Sequence, residues 1–284
     1  MIEKVGVIGA GLMGSGIAEV CAKAGSSVVV HEVSDPALTA GKTRVEKSLA
    51  KAVERGKLAE EVREQVSARI SYTTDMAKMG DRQLVIEAVT EDEKLKKDIF
   101  KSLDHVAAGG TILASNTSSI PITRLAAATS RPEHVVGLHF FNPVPVMGLV
   151  ELVTTILTSE ETAATAGSYV SEALGKTVIM AKDRGGFVVN MLLVPYLLGG
   201  IRMYEQGYAT AEDIDTGMKL GANHPMGPLE LCDFVGLDTM KLVSDVLFEE
   251  FKEPMYASPP LLTRMVEAGL LGKKTGRGFY TYDS

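Results

Sequence analysis

The sequence predicts an α/β domain built on a largely parallel sheet, with a helical hairpin inserted in it, followed by a smaller all-α domain. Three observations carry this. Short β-branched runs alternate with helix-like stretches over the first two-thirds of the chain. One connection between them is long, helical and charged. Past about residue 184 the strand-like runs stop. Near-continuous apolar strands that alternate with helices imply a mainly parallel sheet covered on both faces.

The strand-like runs are KVGVI (Lys4–Ile8), SVVVH (Ser27–His31), LVIE (Leu84–Glu87), TILAS (Thr111–Ser115), VVGLH (Val135–His139), LVELVT (Leu149–Thr154) and TVIMA (Thr177–Ala181). Residues 33–69 are helix-rich with a charged centre, which predicts a protruding pair of helices at about 36–69. Pro121 behind Ser119 reads as a first-turn proline following a hydroxyl cap. In the last third, Thr210 with the acids of TAEDID marks a helix start. LGANHPMGPLEL reads as a helix end, a Gly/Pro turn and a new helix. The boundary falls near KDRGG, giving a sheet domain over 1–184 and a helical domain over 185–284.

Composition narrows the class. Hydrophobic residues are 45% and charged residues 23% of 284, ordinary for a globular protein. No apolar run approaches the roughly 20 residues of a membrane helix. The opening MIEKVGVIGAG is not expected to be a signal peptide, because its apolar stretch is short and its glycines have another use. Cys21 and Cys232 lie far apart in apolar settings and read as buried thiols, which fits a reducing cytoplasm. The net charge of −7 argues against nucleic acid or an anionic membrane as the main partner, and any anionic ligand needs local positive sites. No metal is expected.

The first strand runs straight into a glycine loop. In VGVIGAGLMGSGIAEV, Gly9, Gly11 and Gly14 form GxGxxG between a strand and a helix. The first glycine permits the tight turn, the second lets a pyrophosphate approach the backbone, and the third lets helix and strand pack closely. The helix N-terminus then offers N–H groups and a positive dipole end to the phosphates. The second strand ends at Glu32, 23 positions beyond Gly9, where an acid bonds the adenosine ribose hydroxyls. That carboxylate repels a 2′-phosphate, and no arginine follows until Arg44. The domain is therefore of Rossmann type, with NAD favoured over NADP.

Several polar residues do not suit a core. His139 ends an apolar strand at the sheet's ligand-binding edge, and Glu151 opens the next one. A carboxylate beside an imidazole holds its tautomer and raises its proton affinity, as a general base needs. Asn142, Pro143 and Pro145 shape the loop between them. Ser115, Asn116, Thr117, Ser118 and Ser119 crowd one strand-to-helix turn, more than capping requires, and Asn190 sits in the apolar helix GFVVNMLL. Lys47, Lys51 and Arg55 lie four apart on the inserted helix, and like charges at that spacing cost a helix roughly 0.2–0.5 kcal/mol per pair. A docking face for an anionic ligand would explain them.

The motifs GAGLMGSGIAEV, SNTSSIPIT, GLHFFNPVPVM, GFVVN, KLGANHPMGPLEL and LGKKTGRGFY occur in this order across nearly the whole chain. With them the sequence resembles the short-chain 3-hydroxyacyl-CoA dehydrogenases, in particular the bacterial 3-hydroxybutyryl-CoA dehydrogenase type. The resemblance implies oxidation of the 3-hydroxyl of an acyl-CoA by hydride transfer to NAD, or the reverse reduction, in fatty acid or butanoate metabolism. It makes His139 the acid/base, paired with Glu151, and puts Ser118 and Asn190 on the reacting oxygen. It matches the loop Gly9, Gly11, Leu12, Met13 and Gly14, with Glu32, Asn116, Ser118 and Asn142, to the cofactor, and Glu91, Lys96 and Lys274 to its nicotinamide side. Ser48, Lys51 and Arg55, with Ser118 and Asn190, form the acyl-CoA set. It also implies a homodimer formed through the helical domain.

The chain departs from that pattern at Gly185, Met191 and Gly148, where proline, arginine and lysine are common. Gly199 and Gly200 inside a helix cost up to about 1 kcal/mol each, which close helix contact could offset. Two rival functions remain in this fold: a 3-hydroxyacid dehydrogenase that does not use CoA, opposed by the basic helix and the His–Glu pair, and a non-catalytic relative of the lens lambda-crystallin kind, opposed by the presence of Ser118, His139, Glu151 and Asn190.

Overall fold

The computed structural model describes residues 2–282. The chain forms two compact units that divide between Asp183 and Arg184. The first is built on an eight-stranded sheet of order β3-β2-β1-β4-β5-β6-β7-β8. Its strands are β1 (Lys4–Ile8), β2 (Ser27–His31), β3 (Ile70–Thr73), β4 (Leu84–Glu87), β5 (Ile112–Ser115), β6 (Val135–Phe140), β7 (Leu149–Thr154) and β8 (Thr177–Lys182). All neighbours are parallel except β6 and β7, which run antiparallel. The inner strands β4, β5 and β6 are buried at every position, as expected of a sheet covered on both faces.

The covering helices include α1 (Leu12–Lys23), α2 (Asp35–Glu54), α3 (Glu60–Ala68), α4 (Glu93–Val106), α5 (Ile122–Ala126) and α6 (Glu160–Ser168). Strand β3 was not anticipated. Its sequence ISYT carries one aliphatic residue and lies at the sheet edge, so burial does not demand an apolar run. The two helices α2 and α3 therefore form the β2–β3 crossover. They do not stand clear of the domain: Val45, Leu49 and Val66 are buried in the same core as α1. Only the polar faces of the pair look outward.

A second correction concerns α5. Pro121 is its N-cap and not its first residue, and no side chain of the cap bonds the helix. The carboxylate of Asp183 does that work from 60 residues away, accepting from Ile122 N at 2.6 Å and Thr123 N at 2.7 Å. The Ser119 hydroxyl donates elsewhere, to Glu91.

The second unit is helical, with α7 (Val189–Glu205), α8 (Ala211–Thr216), α9 (Pro228–Val235), α10 (Leu237–Phe251) and α11 (Pro260–Glu267). Thr210 caps α8 by accepting from Asp213 N, as TAEDID predicts. Val194, Leu197, Leu198, Ile201, Leu229 and Cys232 share its core. Gly200 lets α7 approach α9, since a Cβ there would lie 3.0 Å from Pro228, whereas Gly199 faces open space. Two buried carboxylates tie this unit together. Asp215 accepts from Leu229 N and Glu230 N at the start of α9, and Asp233 accepts from Phe279 N and Tyr280 N of the C-terminal segment. No helix of the described residues is long and apolar enough to cross a membrane.

Candidate active site

Open parallel sheets present their ligand sites at the carboxyl ends of the strands; here the glycine loop follows β1, the 116–119 turn follows β5, and His139 is the penultimate residue of β6. At the end of β1, Gly9 has φ +99°, and a Cβ on it would meet Ala88 O at 2.8 Å. A Cβ on Gly14 would stand 1.9 Å from Gly9 O, so strand and helix touch there. Gly11 has nothing within 4 Å of its missing side chain, and as N-cap of α1 it bears no side-chain cap. An open cradle thus faces the bare N-terminus of a 12-residue helix, which suits a diphosphate. Ile8 pairs with His31, so Glu32 follows directly beside the loop, partly exposed. These residues fit a dinucleotide.

Between β4 and β5 lies a buried polar network. Glu87 is fully buried and accepts from Lys96 Nζ at 2.7 Å, Ser115 Oγ at 2.6 Å and Val89 N at 2.7 Å. Lys96 also reaches Glu91, at 3.4 Å. One oxygen of Glu91 gathers the whole 117–119 turn: Thr117 Oγ1 at 2.5 Å, Ser118 N at 3.1 Å, Ser119 N at 3.2 Å and Ser119 Oγ at 2.7 Å. Burial pushes the Glu91 carboxyl up, but Lys96 and these donors outweigh it and hold the group below its ordinary value. Among the described residues only the Ser118 hydroxyl of this turn, partly exposed, lacks a protein partner.

His139 and Glu151 are directly opposite each other in the antiparallel β6–β7 register. Such a pair projects to one face. His139 Nδ1 stands 2.6 Å from Glu151 Oε2, with Glu151 fully buried and His139 nearly so. Asn116 fastens the end of β5 beside them, accepting from Phe140 N at 2.9 Å. The loop that follows is clamped by a residue the sequence did not single out. Lys176, buried without a carboxylate partner among the described residues, donates to Val144 O at 2.8 Å and Met147 O at 2.6 Å. Burial, helped by Lys23, pushes its ammonium below the ordinary lysine value.

Leu12, Ser48 and Asn142 line one groove of about 100 Å³ with Arg44, Pro143 and Val144. Lys51 is exposed on α2, and Arg55 is its exposed C-cap. Asn190 and Lys274 belong to the second unit. Asn190 sits in the first turn of α7, and Lys274 Nζ lies 2.5 and 2.6 Å from the two oxygens of Asp238. Glu87 was missed although it ends an apolar strand, the same signal that exposed His139.

A glycine cradle for a dinucleotide and, on the same sheet, an imidazole held by a carboxylate define the class of nicotinamide-dependent oxidoreductases. Residues 4–184 match the family model for the NAD-binding domain of 3-hydroxyacyl-CoA dehydrogenase, and residues 186–282 match that for its C-terminal domain. A 3-hydroxybutyryl-CoA dehydrogenase of Mycobacterium tuberculosis is 59% identical over 282 residues, covering 99% of both chains. The mitochondrial hydroxyacyl-coenzyme A dehydrogenase of Sus scrofa is 47% identical, over 99% of this chain and 92% of its own. Crystal structures agree: M. tuberculosis FadB2 superposes with a TM-score of 0.98 at 59% identity over 99% of both chains. The (S)-3-hydroxybutyryl-CoA dehydrogenase PaaH1 of Ralstonia eutropha gives 0.95 at 46% identity over 100% of both. The chain belongs to the 3-hydroxyacyl-CoA dehydrogenase family.

Proposed function

We propose that this protein interconverts short-chain 3-hydroxyacyl-CoA and 3-ketoacyl-CoA with NAD, 3-hydroxybutyryl-CoA being the representative substrate. The observation that carries the reading is the buried His139–Glu151 pair. Its Nδ1 is committed to the carboxylate, so Nε2 is the ring atom that exchanges a proton. In oxidation, His139 takes the hydroxyl proton. In reduction, the protonated ring returns it to the oxygen as the carbonyl becomes an alcohol. A bound nicotinamide supplies the hydride acceptor or donor. Ser118, held by the Glu91 turn, and Asn190 orient the reacting oxygen, and Glu151 fixes the tautomer and stabilises the imidazolium.

Gly9, Gly11, Leu12, Met13 and Gly14 hold the diphosphate, and Glu32 takes the ribose hydroxyls, which favours NAD over NADP. Asn116, Asn142, Glu91, Lys96 and Lys274 complete the cofactor set in this reading. Ser48, Lys51 and Arg55 receive the CoA. The protein works as a homodimer in the cytoplasm, a setting compatible with its two free, buried cysteines.

The test is the oxidation of NADH by acetoacetyl-CoA, repeated with NADPH and with the His139→Ala variant. Turnover with NADH is expected, with NADPH markedly poorer. The variant should lose about 10²-fold or more in turnover while binding NADH as before by fluorescence titration. Undiminished turnover in the variant would remove His139 from its role.

A further inference from the structure

The groove between the glycine loop and α2 holds a cation that the reading above leaves unused. Arg44 Nη1 donates to Ala10 O at 3.0 Å, inside the GxGxxG turn itself, and Ser15 Oγ donates to the same oxygen at 2.9 Å. The placement is tight. A Cβ added at Gly41 would lie 2.4 Å from Ala10 Cβ, so the α2 backbone rests on the loop one turn before Arg44. Arg44 as a residue is exposed, and no carboxylate among the described residues pairs with it. Glu19, which lines the groove, is already held by Lys23 at 2.5 Å. Leu12, Asn142 and Ser48 line the same groove.

In a chain with 36 acids and 29 bases, an arginine left without an acid at a glycine loop calls for an anion. A carbonyl at that turn repels a phosphate. A guanidinium that covers the carbonyl and keeps further N–H donors for an incoming oxygen reverses the local sign. We propose that Arg44 binds a diphosphate in this groove. The inference rests on the proposed function and deepens it. Two ligands of that reading carry the chemistry, the dinucleotide and coenzyme A, and the test separates them.

Arg44→Gln and Arg44→Lys would be compared with the parent enzyme in two assays. One is the NADH dissociation constant by fluorescence. The other is kcat/KM at saturating NADH for acetoacetyl-CoA and for acetoacetyl-pantetheine, which has no diphosphate. Loss of a charged hydrogen bond predicts about a tenfold effect for Arg44→Gln, largely restored in Arg44→Lys. Weaker NADH binding assigns the dinucleotide diphosphate. A loss with the CoA thioester but not the pantetheine thioester assigns that of coenzyme A. Equal losses with both thioesters at unchanged NADH affinity, or no loss, would reduce Arg44 to a clip between α2 and the loop and overturn the proposal. If Arg44→Gln does not fold, Arg44→Met in the same assays and the salt dependence of parent NADH binding decide the same point. A parent enzyme inert towards acetoacetyl-CoA would fail the functional reading, and the NADH arm would then judge Arg44 alone.

Discussion

At the scale of single residues, the chain puts titratable groups where their environment commits them to one state. His31 shows it at the edge of the nucleotide cradle. The imidazole is buried, and its Nδ1 has no hydrogen-bond partner. Burial pushes its pKa below the ordinary 6.5, against the opposing pull of a Thr74 backbone bond, Glu32 and Asp75. The unfolded chain therefore binds this proton more readily than the native one. The sign follows from linkage: stability is complete above the unfolded pKa and is lost as pH falls through 6.5 towards the folded value. Urea midpoints measured at about pH 7.5 and about pH 5.5 should fall more in the parent than in His31→Gln, which cannot take up the proton. Equal falls would clear His31 of the effect. The same logic explains which residues of the candidate site are legible in the sequence. His139 and Glu151 stood out because each interrupts an apolar strand. Glu87 interrupts one as well, but its meaning lies in Lys96 and Ser115, partners 9 and 28 positions away that no local pattern joins to it. The capping of α5 by Asp183 was hidden for the same reason, and Ser119 was credited with a bond that tertiary structure supplies.

At the scale of elements, close approach decides what a small residue is worth. Gly199 and Gly200 look identical in sequence, yet only Gly200 sits against another helix, where an added methyl would lie 3.0 Å from Pro228. Gly199→Ala should therefore raise stability by about 0.5–1 kcal/mol, the helix-propensity difference. Gly200→Ala should gain nothing or lose, because α7 and α9 must separate. Thermal midpoints of the two variants give the comparison, and a gain at Gly200 equal to that at Gly199 would refute the packing argument. Elements are legible where the sequence holds a run of apolar residues or a side-chain cap. The strands β1, β2 and β4 to β8 follow from apolar runs, and the α8 start follows from its threonine cap. Strand β3 is invisible because ISYT holds one aliphatic residue, whereas the other edge strand, β8, carries the apolar run TVIMA. The crossover helices are legible as helices, but charge marks only their solvent side and suggests that they protrude, while Val45, Leu49 and Val66 anchor the other side in the core.

At the scale of the whole molecule, the helical unit exposes more apolar surface than its own packing uses. Leu192, Tyr208 and Leu220 are each more than 70% exposed, and Phe234, Leu242, Phe248 and Met255 are also open to solvent. Scattered exposed apolar residues are normal, but this many large ones in a unit of about a hundred residues point to a covering surface. The proposed homodimer supplies it with a second copy of the chain. A standard interface buries about 800 Å² per partner, which a few such side chains and their neighbours provide. Two consequences can be measured. Light scattering should give twice 30.3 kDa at micromolar concentration and below. The thermal midpoint should also fall with dilution, because dissociation is coupled to unfolding and each tenfold dilution removes about 1.4 kcal/mol of dimer stability. A mass of one chain that persists across the concentration range, with a midpoint that does not move, would leave these side chains without a cover and rule the dimer out.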